Sequence, residues 1–293
     1  MIRYVMVMLL LMVSARPLPA LAQSQAAIDC PAKLAAHIPP RQPSALSGAT
    51  FAHEVAGLAA PQRERAIRRQ LLAGDLPAFL RHLKPVRLRY TTKTGSTITA
   101  VICVTPDYLA IGSDDDFLRI PTNRYTALAV AQAFGFILPT RKMVDAIYEQ
   151  AAYHLRPEPM TPGPRMRSIS YYLTHNRKIR RQRLTLGQPL GALVAGHKKD
   201  VVLTTRLYHR RQRIAIYGWH RRTGQPIQPL STVHGARYAD YSHGIRLVSD
   251  LVWVNGVWRS IYEILQDPRL GRVLSWEGGI RHLSALMSLP TSF

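Results

Sequence analysis

Beyond residue 22 the sequence has no apolar run of the roughly 20 residues needed to cross a bilayer, so no stable membrane span is expected in the mature chain. Cysteine is nearly absent. Cys30 and Cys103 are the only two, and Cys103 lies in the strand-like run TAVICVT, where a thiolate would be poorly solvated. That disfavours a cysteine nucleophile and leaves a disulfide as the better use of the pair in an oxidising compartment. Acidic residues are also scarce: 17 Asp and Glu stand against 39 Lys and Arg, a formal net charge of +22. No repeat of about 20–50 residues occurs, which leaves solenoids and propellers without support. The triple aspartate Asp114-Asp115-Asp116 lacks the interleaved ligands and closing Glu of a calcium loop and reads as a solvated turn.

What is present starts with MIRYVMVMLLLMVSARPLPALAQ, in which Arg3 precedes an apolar stretch from Val5 to Ala15 and the small-x-small sequence Ala20-Leu21-Ala22. This is the pattern of a secretory signal peptide over residues 1–22, cut after Ala22. Export to the periplasm or the medium narrows the partners suggested by the positive charge. They become an anionic polymer such as a polysaccharide, peptidoglycan or another envelope polyanion, with nucleic acid bound only non-specifically.

Residues 23–60, with Pro39, Pro40 and Pro43, read as an extended lead-in. Residues 61–156 read as a helix-rich subdomain with a small sheet. A helix interrupted at Gly74 and Pro77 is followed by a meander of strands at 86–92, 96–105 and 108–113, then by two helices capped by Thr122 and Thr140. Four prolines and a glycine in PEPMTPGPRM mark residues 157–166 as a linker. Residues 167–293 begin with a basic stretch carrying Arg177, Lys178, Arg180 and Arg181, open to a helix or an arm, and continue as short strands. Asn255-Gly256 between Trp253-Val254 and Val257-Trp258 predicts a type I′ hairpin. The expected fold class is α+β, with a helical N-terminal half carrying the small meander and a mostly antiparallel sheet in the C-terminal half.

The chemistry-bearing residues concentrate in that second half. His197, His209, His220, His234 and His243 lie close in sequence, and four of them have a glycine within two residues, which suits strand ends that present side chains into a cleft. Imidazole beside carboxylate is what acid–base chemistry uses near neutral pH. The candidate catalytic residues are therefore His197, Asp200, His220, His234, Asp240, Tyr241, Ser242 and His243, with Lys198, Tyr217, Trp219, Arg237, Tyr238 and Arg246 as candidate substrate-binding residues. Three chemistries remain open. Zinc could be held by His234, Asp240 and His243 with a further histidine such as His220. Ser242 could be a nucleophile served by His197, His220 or His234 and oriented by Asp200 or Asp240. A Tyr/His pair could move protons on an anionic sugar polymer whose charge arginines neutralise.

The run Ser242-His243-Gly244-Ile245-Arg246 resembles the L,D-transpeptidase signature S-H-G-C-I-R, with His234-Gly235 upstream as that family has its other histidine. The signature's cysteine is missing, since Gly244 runs directly into Ile245, so transpeptidase activity does not follow. The wider pattern of FILPTRKMVDAIY, GHKKDVV, IYGWH with GQPIQPL, and DYSHGIRLV is similar to a group of uncharacterised secreted bacterial proteins. That resemblance implies a shared fold and site without an activity. Together these features lead to the expectation of a secreted hydrolase or lyase acting on a polyanionic polymer, with a non-catalytic binding protein for such a polymer as the alternative.

Overall fold

The computed structural model describes residues 28–290, so the expected leader lies outside the described residues. Ser47 caps α1 (Gly48–Val55), and α2 (Ala60–Leu72) carries Pro61 in its first turn, where an amide proton is not needed. Ala66, Ile67 and Leu71 form the buried face of α2. β1 (Lys84–Thr91) and β2 (Thr97–Val104) make an antiparallel hairpin, and the short β3 (Ala110–Gly112) and β4 (Phe117–Arg119) make another. Asn123 caps α3 (Arg124–Phe134), which leads into β5 (Phe136–Ile137). Thr140 accepts the Met143 N–H and starts α4 (Arg141–Gln150), which is followed by β6 (Tyr153–His154).

The basic stretch is a helix, α5 (Ile169–Thr185), capped by Ser168. Short strands follow: β7 (Val194–Ala195), β8 (Lys199–Val201), β9 (Ile216–His220), β10 (Pro226–Ser231) and β11 (His243–Gly244). β12 (Val248–Val254) and β13 (Val257–Ser260) turn at Asn255-Gly256, both at positive φ. Three short helices, α6 (Ile261–Gln266), α7 (Gly271–Leu274) and α8 (Leu283–Met287), complete the described chain.

The expected division into a helical half and a strand half is overturned, because helices and strands are interspersed along the chain. The expected meander does not form either. β3 pairs with β4, and the free edge of β2 is taken by β12 from the far end of the sequence, with β13 and β5 completing that sheet. The physical reason is burial: β2 is enclosed from Ala100 to Val104, so it needs an apolar neighbour on each edge, and Val248, Val252 and Val254 supply one. The main apolar core runs from Leu34 to Met287 and draws on residues before and after the proline-rich 157–166 segment, with a small separate cluster of Leu155, Ile179 and Val194 beside it.

Cys30 and Cys103 are joined in a disulfide with Cα atoms 5.7 Å apart, tying the lead-in to β2. Among the described residues no helix is long and apolar enough to cross a membrane.

A second sheet has the strand order β10-β9-β8-β11 and positions the candidate site. β11 runs parallel to β8, setting His243 opposite Lys199 and Gly244 opposite Asp200. From β11 the chain passes through Ile245 and Leu247, whose carbonyls accept the Leu109 and Thr105 N–H groups, and enters β12. The DYSHGIRLV segment thus stitches the two sheets together. Gly244 is required at this seam, since a Cβ there would come within 2.6 Å of the Tyr108 ring and 2.7 Å of the Lys198 side chain.

Candidate functional site

The loop between β10 and β11 gathers His234, Tyr238, Asp240 and Ser242 around His243, five of the expected residues. His234 stacks on Tyr238 with centroids 4.1 Å apart, and the Tyr238 ring meets His243 edge-on at 5.7 Å. The Tyr238 hydroxyl donates to Asp240 Oδ2 at 2.9 Å. Asp240 Oδ1 accepts both the Ser242 amide at 2.8 Å and the Ser242 hydroxyl at 2.6 Å, fixing the turn into β11. His234 and Tyr238 are half-exposed, whereas Asp240, Ser242 and His243 are enclosed.

Electrostatics separate these groups. Burial pushes the His243 imidazole down to about 4 against the pull of Asp240, so it is neutral at physiological pH, and neither ring nitrogen has a hydrogen-bond partner. Burial, then the Asp240 charge, raises the Tyr238 phenol above its usual range and keeps it protonated. Burial alone would raise the Asp240 carboxyl, but His243, Ser242 and Tyr238 hold it below its ordinary value. Lys199 borders the same cluster with its ammonium 4.9 Å over the Trp219 ring. Trp219 has a left-handed backbone at φ 57°, uncommon for a bulky residue, and its buried indole N–H is unpartnered.

His197, Lys198, Asp200 and Arg246 belong to an interior network. His197 Nε2 lies 3.1 Å from Asp107 Oδ1, and Arg119 clamps the same carboxylate. Burial works against the Asp107 charge, but Arg119 and His197 hold its carboxyl well below its usual value. Burial pushes His197 down to about 4 despite Asp107. Asp200 accepts the Tyr108 hydroxyl at 2.8 Å, and burial lifts its carboxyl to about 6. Lys198, lowered by burial to about 7, donates to the Tyr241 carbonyl at 2.5 Å. Arg246 stacks over Tyr108 at 4.3 Å and donates to the Thr105 and Val194 carbonyls, so it ties strands together from inside. The Tyr241 hydroxyl accepts the Met160 N–H at 2.8 Å and pins the proline-rich segment.

His220 stands apart from both groups. Its Nε2 is 3.4 Å from Asp145 Oδ1, a carboxylate that also accepts the Tyr217 hydroxyl at 2.7 Å and the Trp276 indole N–H at 3.0 Å. The expected zinc set of His234, Asp240, His243 and His220 is therefore not brought together, and no group of three or more His, Cys, Asp or Glu able to hold a metal ion occurs among the described residues. Ser242 has its hydroxyl committed to Asp240 and none of the candidate histidines bonded to it. Arg237 is exposed on the same loop, with its guanidinium 5.4 Å over the Tyr125 ring.

Sequence reasoning did not single out Asp107, Tyr108, Arg119, Asp145, His175 or Lys199. Asp107 reads as a turn residue after Pro106, and nothing in its spacing predicts the distant Arg119 and His197. Lys199 had a legible signal: alternation along a strand sends it to the face opposite Lys198 and Asp200. Comparison with known proteins finds no matching family model, no matching curated relative and no matching solved structure.

Proposed function

We propose that the protein is an exported hydrolase or lyase acting on a polyanionic envelope or extracellular polymer, with His234 and Tyr238 exchanging protons with the substrate. One observation carries this reading: His234, Tyr238, Asp240 and His243 are in mutual ring or hydrogen-bond contact where a buried polar network meets solvent through half-exposed His234 and Tyr238. Tyr238, held protonated, is the donor, and the His234 imidazole is the accessible base. Asp240 fixes the phenol hydroxyl, and His243 backs the pair as a neutral ring.

In elimination from an acidic sugar unit, His234 takes the proton next to the carboxylate, and the electron pair forms the new carbon–carbon double bond. The glycosidic C–O bond breaks, and the Tyr238 hydroxyl turns from Asp240 to give its proton to the departing oxygen. In hydrolysis the same base takes a proton from water instead, the water oxygen bonds to the anomeric carbon as the glycosidic C–O bond breaks, and the departing oxygen again takes the Tyr238 proton. The excess of 39 basic over 17 acidic side chains supports an anionic substrate.

Incubation of the mature protein with polyuronates, peptidoglycan and sulfated polysaccharides tests this. Elimination yields an unsaturated, ultraviolet-absorbing sugar, whereas hydrolysis yields a new reducing end without that absorbance. Neither product from any polymer would remove the catalytic reading. The enclosure of Asp240, Ser242 and His243 favours a second one, a binding protein that holds the same polymers intact with an affinity that falls steeply with salt.

A further inference from the structure

A pocket of about 290 Å³ lies between the first turns of α2, the start of α3 and the loop that carries Arg237. Arg63, Arg65, Arg68, Arg167 and Arg237 line it, with Glu64 as the acid among them. Its remaining surface includes Ala60, Tyr172 and Ala239, and its volume is near the lower edge of the range of about 300–1,000 Å³ usual for small-ligand sites.

The arginines are held in place by more than solvent. Arg63 donates to the Leu58 and Arg167 carbonyls, Arg167 lies 5.5 Å over the Tyr238 ring, and Arg237 lies over Tyr125. Among the described residues Arg65, Arg167 and Arg237 form no ion pair with a carboxylate. Glu64 spends one oxygen on the Asn123 N–H and cannot neutralise so many cations. Converging guanidiniums repel one another, and their forks match the oxygens of a carboxylate or phosphate. The positive end of α2, with no acid in its first turn, adds to the same field.

We infer that this pocket binds the oxyanion, carboxylate or phosphate, of one unit of an anionic polymer chain. Because Arg167 lies on Tyr238, a chain anchored there would present its neighbouring unit to the His234–Tyr238 pair. That role as a subsite rests on the function proposed above; the binding itself does not.

Titration calorimetry of the mature protein with a galacturonate trimer, a glycerol-phosphate oligomer and a neutral glucose trimer tests the inference. At least one of the two anionic oligomers is expected to bind, and the tighter one names the oxyanion. Arg65→Ala/Arg237→Ala should weaken that binding by about tenfold or more, and Glu64→Gln should tighten it by removing the competing carboxylate. Arg177→Ala/Arg181→Ala removes equal charge from exposed positions of α5 and should change affinity by less than about twofold. Equal weakening by both double variants, equal binding of the neutral trimer, or no binding of either anionic oligomer would overturn the inference, with thermal melts confirming that each variant is folded. Binding that depends on Arg65 and Arg237 but leads to no product from any polymer leaves the pocket standing and removes the catalytic reading.

Discussion

The imidazole of His234 lies flat on the phenol ring of Tyr238, their planes inclined by only 9°. The stack leaves the edges of both rings, where the protons are exchanged, free of each other. Tyr238 has its hydroxyl on Asp240, so one ring of the pair is anchored from below and the other is carried on it. A substrate approaching from solvent meets a base and an acid in a fixed mutual orientation, which is the arrangement proton transfer needs.

Tyr238→Phe keeps the stack and deletes only the donor, while His234→Ala deletes the base. Each is expected to lower turnover by about 100-fold or more on the polymer that proves to be the substrate. Their melting temperatures should stay within a few degrees of wild type, because both residues are half-exposed and Asp240 keeps its two bonds from Ser242. Steady-state kinetics beside thermal melts separates the two effects. Full activity in Tyr238→Phe would end the donor assignment.

The seam between the two sheets offers a sharper test of the fold than of the chemistry. Gly244→Ala forces a methyl group to within 2.6 Å of the Tyr108 ring, inside a region with no room to relax. The expected loss is about 1–3 kcal/mol, read by denaturant unfolding. Gly235→Ala, in the same loop, meets nothing closer than 4.0 Å and should be close to neutral. Equal stability of the two variants would show that β8 and β11 are not packed as described.

Local chemistry was legible in the sequence where a few adjacent residues decide the outcome. Thr140 caps α4 because its hydroxyl reaches an amide three residues on, and Asn255-Gly256 turns because those two residues tolerate positive φ. The disulfide followed from the expected compartment and the count of two cysteines. Pairings between distant segments were not legible: β2 with β12 depends on which apolar strand covers which edge, and β11, two residues long, has no periodicity to read. The candidate site divides in the same way. Residues 234–243 could be named together because one loop brings them together, but enclosed His243 could not be told from half-exposed His234. Nothing in the spacing sent His197 to Asp107 or His220 to Asp145.

The buried ionisable groups set how stability depends on pH. His197 and His243 fall from 6.5 to about 4 by burial, so across that window the unfolded chain binds protons that the folded chain refuses. Stability is therefore lost as pH drops from 6.5 towards 4, by up to about 3 kcal/mol for each. His175, lowered by burial and by the Lys198 charge, adds in the same direction. Asp200, raised by burial from 3.8 to about 6, opposes them, since there the folded chain keeps a proton that the unfolded one releases. Lys198, lowered from 10.5 to about 7, extends the rise above neutrality. Glu64, Asp75 and Asp250, also raised by burial, oppose in the same way as Asp200. Melting temperature should accordingly climb from about pH 4 to about pH 9, with the three histidines and Lys198 outweighing these four carboxylates. A maximum near pH 5 would contradict the burial of these histidines.

His243 distinguishes a residue kept for function from one kept for structure. A neutral imidazole carries one N–H, and in this enclosed position neither nitrogen finds a partner, which costs about 1–3 kcal/mol relative to a satisfied group. His243→Leu replaces it with a side chain of similar volume that needs no partner. The variant should melt at or above the wild-type temperature and lose less stability on acidification, because one of the groups resisting protonation is gone. Turnover should nevertheless fall, since the neutral ring packed edge-on against Tyr238 disappears. A drop of several degrees in melting temperature with unchanged activity would make His243 a packing residue and leave His234, Tyr238 and Asp240 as the whole of the site.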